Sequence, residues 1–112
     1  MLKYKNIKVE WVTISIYLGD EFKNNHWKIN EKYACEKLSE TGLTNFSVEC
    51  PIEDLICVQF AETPENVEKF YNKAKSVFNE VFVNLYLDGY LEEGNSIDIS
   101  LDEYMKLLKE NK

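Results

Sequence analysis

Twenty carboxylates, three cysteines and one histidine are the side chains of this chain with chemistry to offer, and their spacing decides which chemistry. His26 stands between Asn25 and Trp27 in a polar stretch and reads as a loop residue. No spacing ties it to Cys35, Cys50 or Cys57 as a zinc tetrad or a nucleophile–base pair requires. An odd number of cysteines at spacings of 15 and 7 makes a poor disulfide framework and suits free thiols in a reducing compartment. The acids around Asp88, Glu92, Glu93 and Asp98 lack the alternate carboxylates and central glycine of a calcium loop, and there is no glycine-rich phosphate loop. Paired carboxylates can do glycosidase-type acid–base work, but with 20 acids in 112 residues pairs arise by chance. The expectation is no catalytic group, no metal and no cofactor: a binding protein, not an enzyme.

The distribution of the acids says more than their number. Ser76 to Met105 contain no Lys, Arg or His and seven acids: Glu80, Asp88, Glu92, Glu93, Asp98, Asp102 and Glu103. Leu38 to Glu68 form a second such window with seven more. Arginine is absent, and the 13 cations are all lysine. Residues 1–33 carry six lysines against four acids, net +2; residues 34–112 carry seven against sixteen, net −9, which together give the −7 of the chain. Such a field repels phosphates and draws in basic surfaces. Direct nucleic-acid binding is therefore not expected, since it needs cations to hold the backbone. Charge runs also serve simply as solvated faces. The opening Met1-Leu2-Lys3-Tyr4-Lys5 has no apolar leader and the apolar stretches are strand-sized, so neither a secretory signal nor a membrane span is expected, and the cytoplasm is the expected compartment.

The elements that position these groups are legible from periodicity. A length of 112 residues suits one domain, 1–112. Val9 to Leu18 alternates, with Val12, Ile14, Ile16 and Leu18 on one side and Trp11, Thr13, Ser15 and Tyr17 on the other, which predicts a strand. Asn30 as N-cap and Gly42 as terminator bracket a helix bearing Tyr33, Ala34, Leu38 and Thr41 on one face. Thr44–Cys50 and Leu55–Ala61 read as strands joined by a turn at Pro51-Ile52-Glu53-Asp54. Thr63-Pro64-Glu65 opens the clearest helix, on which Val67, Phe70, Tyr71, Ala74, Val77 and Phe78 recur at helical spacing. A fourth strand, Val81–Leu87, follows, and Ser100-Leu101-Asp102-Glu103 is a capping box for a last short helix. The order strand–helix–strand–strand–helix–strand predicts an α+β fold: a ferredoxin-like βαββαβ sandwich, with a four-stranded antiparallel sheet, two helices on one face and a short C-terminal helix. Right-handed crossovers would set the first and fourth strands side by side. The alternative is a different α+β meander in which residues 2–8 or 95–99 add an edge strand.

In that arrangement one sheet face lacks the two long helices and carries Trp11, Tyr17, Phe82 and Tyr86 as an aromatic patch. A large apolar patch asks for a cover: the C-terminal helix, through Leu101, Tyr104, Met105 and Leu108, a second copy of the chain, or another protein. Two functions follow. The first is a stoichiometric inhibitor or neutraliser of a basic, nucleic-acid-processing protein, in the style of immunity proteins and phage anti-defence proteins. Its binding residues are Asp88, Glu92, Glu93, Asp98, Asp102 and Glu103 with Tyr86, Tyr90 and Tyr104. The alternative is a homodimeric small-molecule module or small enzyme that uses Trp11, Tyr17 and Phe82 as its pocket or seam, with Ser15, Asn84 and Gln59 as polar contacts.

Overall fold

Alternating apolar side chains, two helices with strong N-caps and one capping box build a three-helix, six-stranded α+β domain. The structure is a computed structural model and describes residues 2–92 and 94–111. In chain order the elements are β1 (Lys3–Tyr4), β2 (Ile7–Tyr17), a 3₁₀ turn (Asp20–Phe22), α1 (Trp27–Glu40), β3 (Phe46–Ile52), β4 (Leu55–Phe60), α2 (Pro64–Val77), β5 (Glu80–Leu91), β6 (Gly94–Ile99) and α3 (Leu101–Glu110). The strands run β3-β4-β2-β5-β6, every pair antiparallel, with β1 folded back on β2. The expected four-stranded sheet is thus corrected to six strands. The two additions fall in the segments singled out as possible edges. The β1–β2 hairpin turns on Lys5 and Asn6, both with positive φ (48° and 65°), the mirror-image turn that matches strand twist.

The core lies between one sheet face and the helices. Ile14, Ile16, Ile56, Val58, Val83 and Leu85 are at most 1% exposed, and Ala34 and Leu38 of α1 and Val67, Phe70 and Ala74 of α2 close over them. Phe70 stacks on Phe60 with ring centroids 4.3 Å apart. A bulge shapes the central pairing: Val9 faces Leu87 while Trp11 faces Tyr86, so Glu10 is the extra residue of β2. Val9 and Val12 thereby both reach the core side although they are three residues apart, and Trp11 turns outward. The third helix does not cross to the other face. Its Tyr104 and Leu107 are buried in the core cluster with Val12 and Ile99, on the same side of the sheet as α1 and α2. Of the possible covers for the aromatic patch, this helix is thereby ruled out: its apolar stripe packs on the core side of the sheet, against β5 and near Val9 and Val12.

The helix N-termini follow their sequence signals with one exception. Thr63 accepts from the Asn66 amide with Pro64 in the first turn, and Ser100 and Glu103 form the reciprocal capping box. The first helix, however, starts at Trp27 with His26 as N-cap, whose Nδ1 accepts from the Lys28 amide at 3.2 Å. Asn30 is not a cap but a fully buried tie. Its Nδ2 donates to the Phe22 and Glu53 carbonyls at 3.0 Å each, and its Oδ1 accepts from Asn25. One amide so joins the start of α1 to the β3–β4 turn, where Glu53 holds a positive φ of 47°. Asn30→Ala would leave two carbonyls without their donor and is expected to cost about 2–4 kcal/mol in urea-induced unfolding. A loss under about 0.5 kcal/mol would contradict that role.

Candidate binding groove

The face away from the helices is built by the other half of each strand's alternation. Opposed positions across the sheet define its rows. Trp11 lies opposite Tyr86, and Tyr86 opposite Ser96; Thr13 lies opposite Asn84, and Asn84 opposite Asp98; Ser15 lies opposite both Cys57 and Phe82, with Glu49 beyond Cys57. Between these rows runs an open groove of about 430 Å³, lined from β3, β4, β2, β5 and β6 and, among the described residues, by no helix. From Glu49 on β3 to Asp98 on β6 it crosses four inter-strand steps, roughly 19 Å.

Its walls are aromatic and its floor is small and polar. Trp11 and Tyr86 stack face to face, with centroids 4.1 Å apart and planes 3° from parallel, and Trp11 keeps 46% of its surface exposed. Cross-strand aromatic pairs of this kind add about 0.5–1.5 kcal/mol beyond the area they bury. At the other end Tyr17 leans edge-on over Phe82, at 5.9 Å, and reaches β6. Its hydroxyl donates to Asp98 Oδ2 at 2.7 Å, and Asn84 Nδ2 donates to Asp98 Oδ1 at 2.9 Å. The Asp98 carboxylate is thus held by two neutral donors and keeps lone pairs on both oxygens. Burial, then the hydrogen bond and charge of Asp98, push the Tyr17 phenol well above its ordinary value, so it stays a donor. Thr13 and Ser15 form the floor, only 6% and 2% exposed, and their remaining surface opens into the groove.

The electrostatics are one-sided. The groove lining includes Glu49 and Asp98 and no Lys or His. Among the described residues the ion pairs are Lys8–Glu10, Lys23–Asp20 and Lys32–Glu36, all in the basic first third of the chain. The described acids of residues 38–105 have no such partner among the described residues. Among the described residues no cluster of three metal-ligating side chains occurs, and no helix is long and apolar enough to cross a membrane.

The candidate contact residues divide into three groups. Tyr86 and Asp98 join Trp11, Tyr17 and Phe82 on the groove face. Asp88 and Tyr90 continue the outward alternation of β5, Tyr90 with 82% exposure, and Glu92 is exposed at the end of β5, so these form a rim. Glu93 lies outside the described residues. Asp102 and Glu103 stand exposed on the first turn of α3, where Glu103 serves the capping box. Tyr104, expected as a partner contact, is 3% exposed in the core, because the apolar stripe of α3 turns it inward. Sequence reasoning grouped Asp98 with the acids between the fourth strand and the last helix and offered residues 95–99 as an edge strand only in its alternative arrangement; that strand is β6. The alternation Ser96-Ile97-Asp98-Ile99 was the available signal.

Scans against protein-family models, curated proteins and solved structures each returned no match. Fold and site geometry therefore carry the functional argument.

The thiols respond to the same surroundings. Burial, reinforced by the Asp98 and Glu49 carboxylates, pushes Cys57 up to about 11, and burial likewise raises Cys50. Cys35 lies exposed on α1. At pH 8 iodoacetamide should alkylate Cys35 first, and Cys57 should stay a thiol until the pH approaches its raised value. Mass mapping that found Cys57 modified fastest would contradict the groove's burial and charge.

Proposed function

We propose that this domain is a stoichiometric binder of a basic protein, engaging it with the helix-free sheet face. The observation that carries the reading is the pairing of an uncovered aromatic groove with carboxylates that have no cation of their own. Asp88, Glu92 and the exposed acids of α3 speed encounter with a positive surface, and Trp11, Tyr86 and Tyr90 supply the apolar contact from which most affinity comes. A nucleic-acid-processing protein is the class that presents such a positive surface, so we read the domain as an inhibitor or neutraliser of the immunity or anti-defence type. The segment β2-α1-β3-β4-α2-β5 supports reading the fold as a ferredoxin-like unit extended by β1, β6 and α3.

The sheet-to-sheet homodimer or small-ligand module has the exposed Trp11 in its favour. A two-fold dimer through this face, however, sets the same patch on both sides, so Asp98 and Glu49 of both copies would be enclosed without a cation from either groove lining.

The test is capture of basic proteins by the tagged chain over a salt series, followed by kinetics on the retained partner. Asp88→Lys with Glu92→Lys should slow association about tenfold or more at low salt with the thermal midpoint unchanged. An unchanged association rate, or no partner together with a stable homodimer, would overturn the proposal.

A further inference from the structure

The groove is more selective than a negative surface requires. Two hydroxyls, Thr13 and Ser15, are more than nine-tenths buried, and what remains of their surface opens onto the groove floor. Beside them Asp98 is fixed by Tyr17 and Asn84, with lone pairs left to accept from a ligand. Above them the Trp11–Tyr86 stack presents flat ring faces. A ligand matching this floor needs positive charge, several donors arranged in a plane, and a flat surface that packs against an aromatic wall.

We propose that the groove is a receptor for a guanidinium group, an arginine side chain of the basic partner, which deepens and rests on the reading above. The planar fork donates to Asp98 and to the floor hydroxyls at once while its face packs on the aromatic wall. An ammonium offers three donors on a compact, strongly hydrated charge and cannot stack in this way. The slot is open along its length, so a side chain presented on a protein surface enters it without any part of the sheet moving. The inserted charge also supplies the cation that Asp98 and Glu49 lack within the chain.

The probe is a blocked Gly-Arg-Gly peptide, compared with its lysine and citrulline counterparts and followed by amide chemical shifts and by Trp11 fluorescence in a Trp27→Phe background. The arginine peptide should bind saturably, shifting Thr13, Ser15 and Asn84. The lysine peptide should bind several-fold more weakly, and the citrulline peptide, isosteric but neutral, more than tenfold more weakly. Asp98→Asn should weaken arginine binding about tenfold; should that variant misfold, Trp11→Ala, at an exposed position, makes the same test. Equal binding of arginine and citrulline, shifts confined to other surfaces, absence of saturable binding, or a groove closed by a second copy would each overturn the inference. A basic partner that still binds, and is lost on Trp11→Ala, while the peptides do not bind would sink the arginine anchor and leave the binding function standing.

Discussion

Eight opposed positions join β2 to β5, from Val9 facing Leu87 to Tyr17 facing Glu80, and this pairing decides where the rest of the domain can go. Because side chains alternate along each strand, one register assigns Ile14, Ile16, Val83 and Leu85 to the helices and Trp11, Thr13, Asn84 and Tyr86 to the opposite face. A slip by one residue would exchange the two sets. The bulge at Glu10 is the one departure from strict alternation. It returns Val9 to the core side, while Trp11 keeps the outward face it shares with Thr13, Ser15 and Tyr17 and there stacks on Tyr86. Sheet geometry and the aromatic wall therefore have a common cause.

The helices complete the asymmetry. All three pack on the same side, so the apolar side chains of the sheet core are buried while the aromatic side chains of the other face meet solvent. Two hydrogen bonds compensate the carboxylate placed on that face. Tyr17 and Asn84 hold Asp98, and the phenol, its own ionisation suppressed by burial and by that carboxylate, remains protonated and keeps donating. The result is an ordered negative site without an internal counter-ion. The chain carries +2 over residues 1–33 and −9 over the rest, the charge balance on which the proposal of a basic partner rests.

Much of the fold was legible in the residues, for reasons that can be named. Thr63-Pro64 and Ser100 with Glu103 are start signals whose hydrogen bonds are purely local, and both appear as expected. The alternation of Val12 to Tyr17 and of Val81 to Leu87 assigned both faces of the central strands. What was not legible depends on long-range satisfaction. Asn30 looks like a cap, but its amide finds better partners in the Phe22 and Glu53 carbonyls, 8 and 23 residues away. The β1 hairpin turns on Lys5-Asn6, which lacks the Asn-Gly or Asp-Gly signal of such turns. β6 is short and opens with Gly94-Asn95-Ser96, residues that read as loop until β5 supplies their partners. The stripe on α3 shows that it packs against an apolar surface and is silent on which one. The expectation of Tyr104 as a contact came from that ambiguity, which also left open what covers the patch. Asp98, grouped by sequence with the acids before the last helix, sits on the edge strand that the alternative arrangement allowed at residues 95–99.

The proposed binding function requires the aromatic face to be open in solution. Acrylamide quenching of Trp11 in Trp27→Phe, across a range of protein concentrations, tests this most directly. An open face gives efficient quenching that does not change with concentration, as expected for a half-exposed indole in a monomer. Strong protection at all concentrations would mean that α3 or another part of the chain covers the face. Protection that grows with concentration would mean that a second copy does.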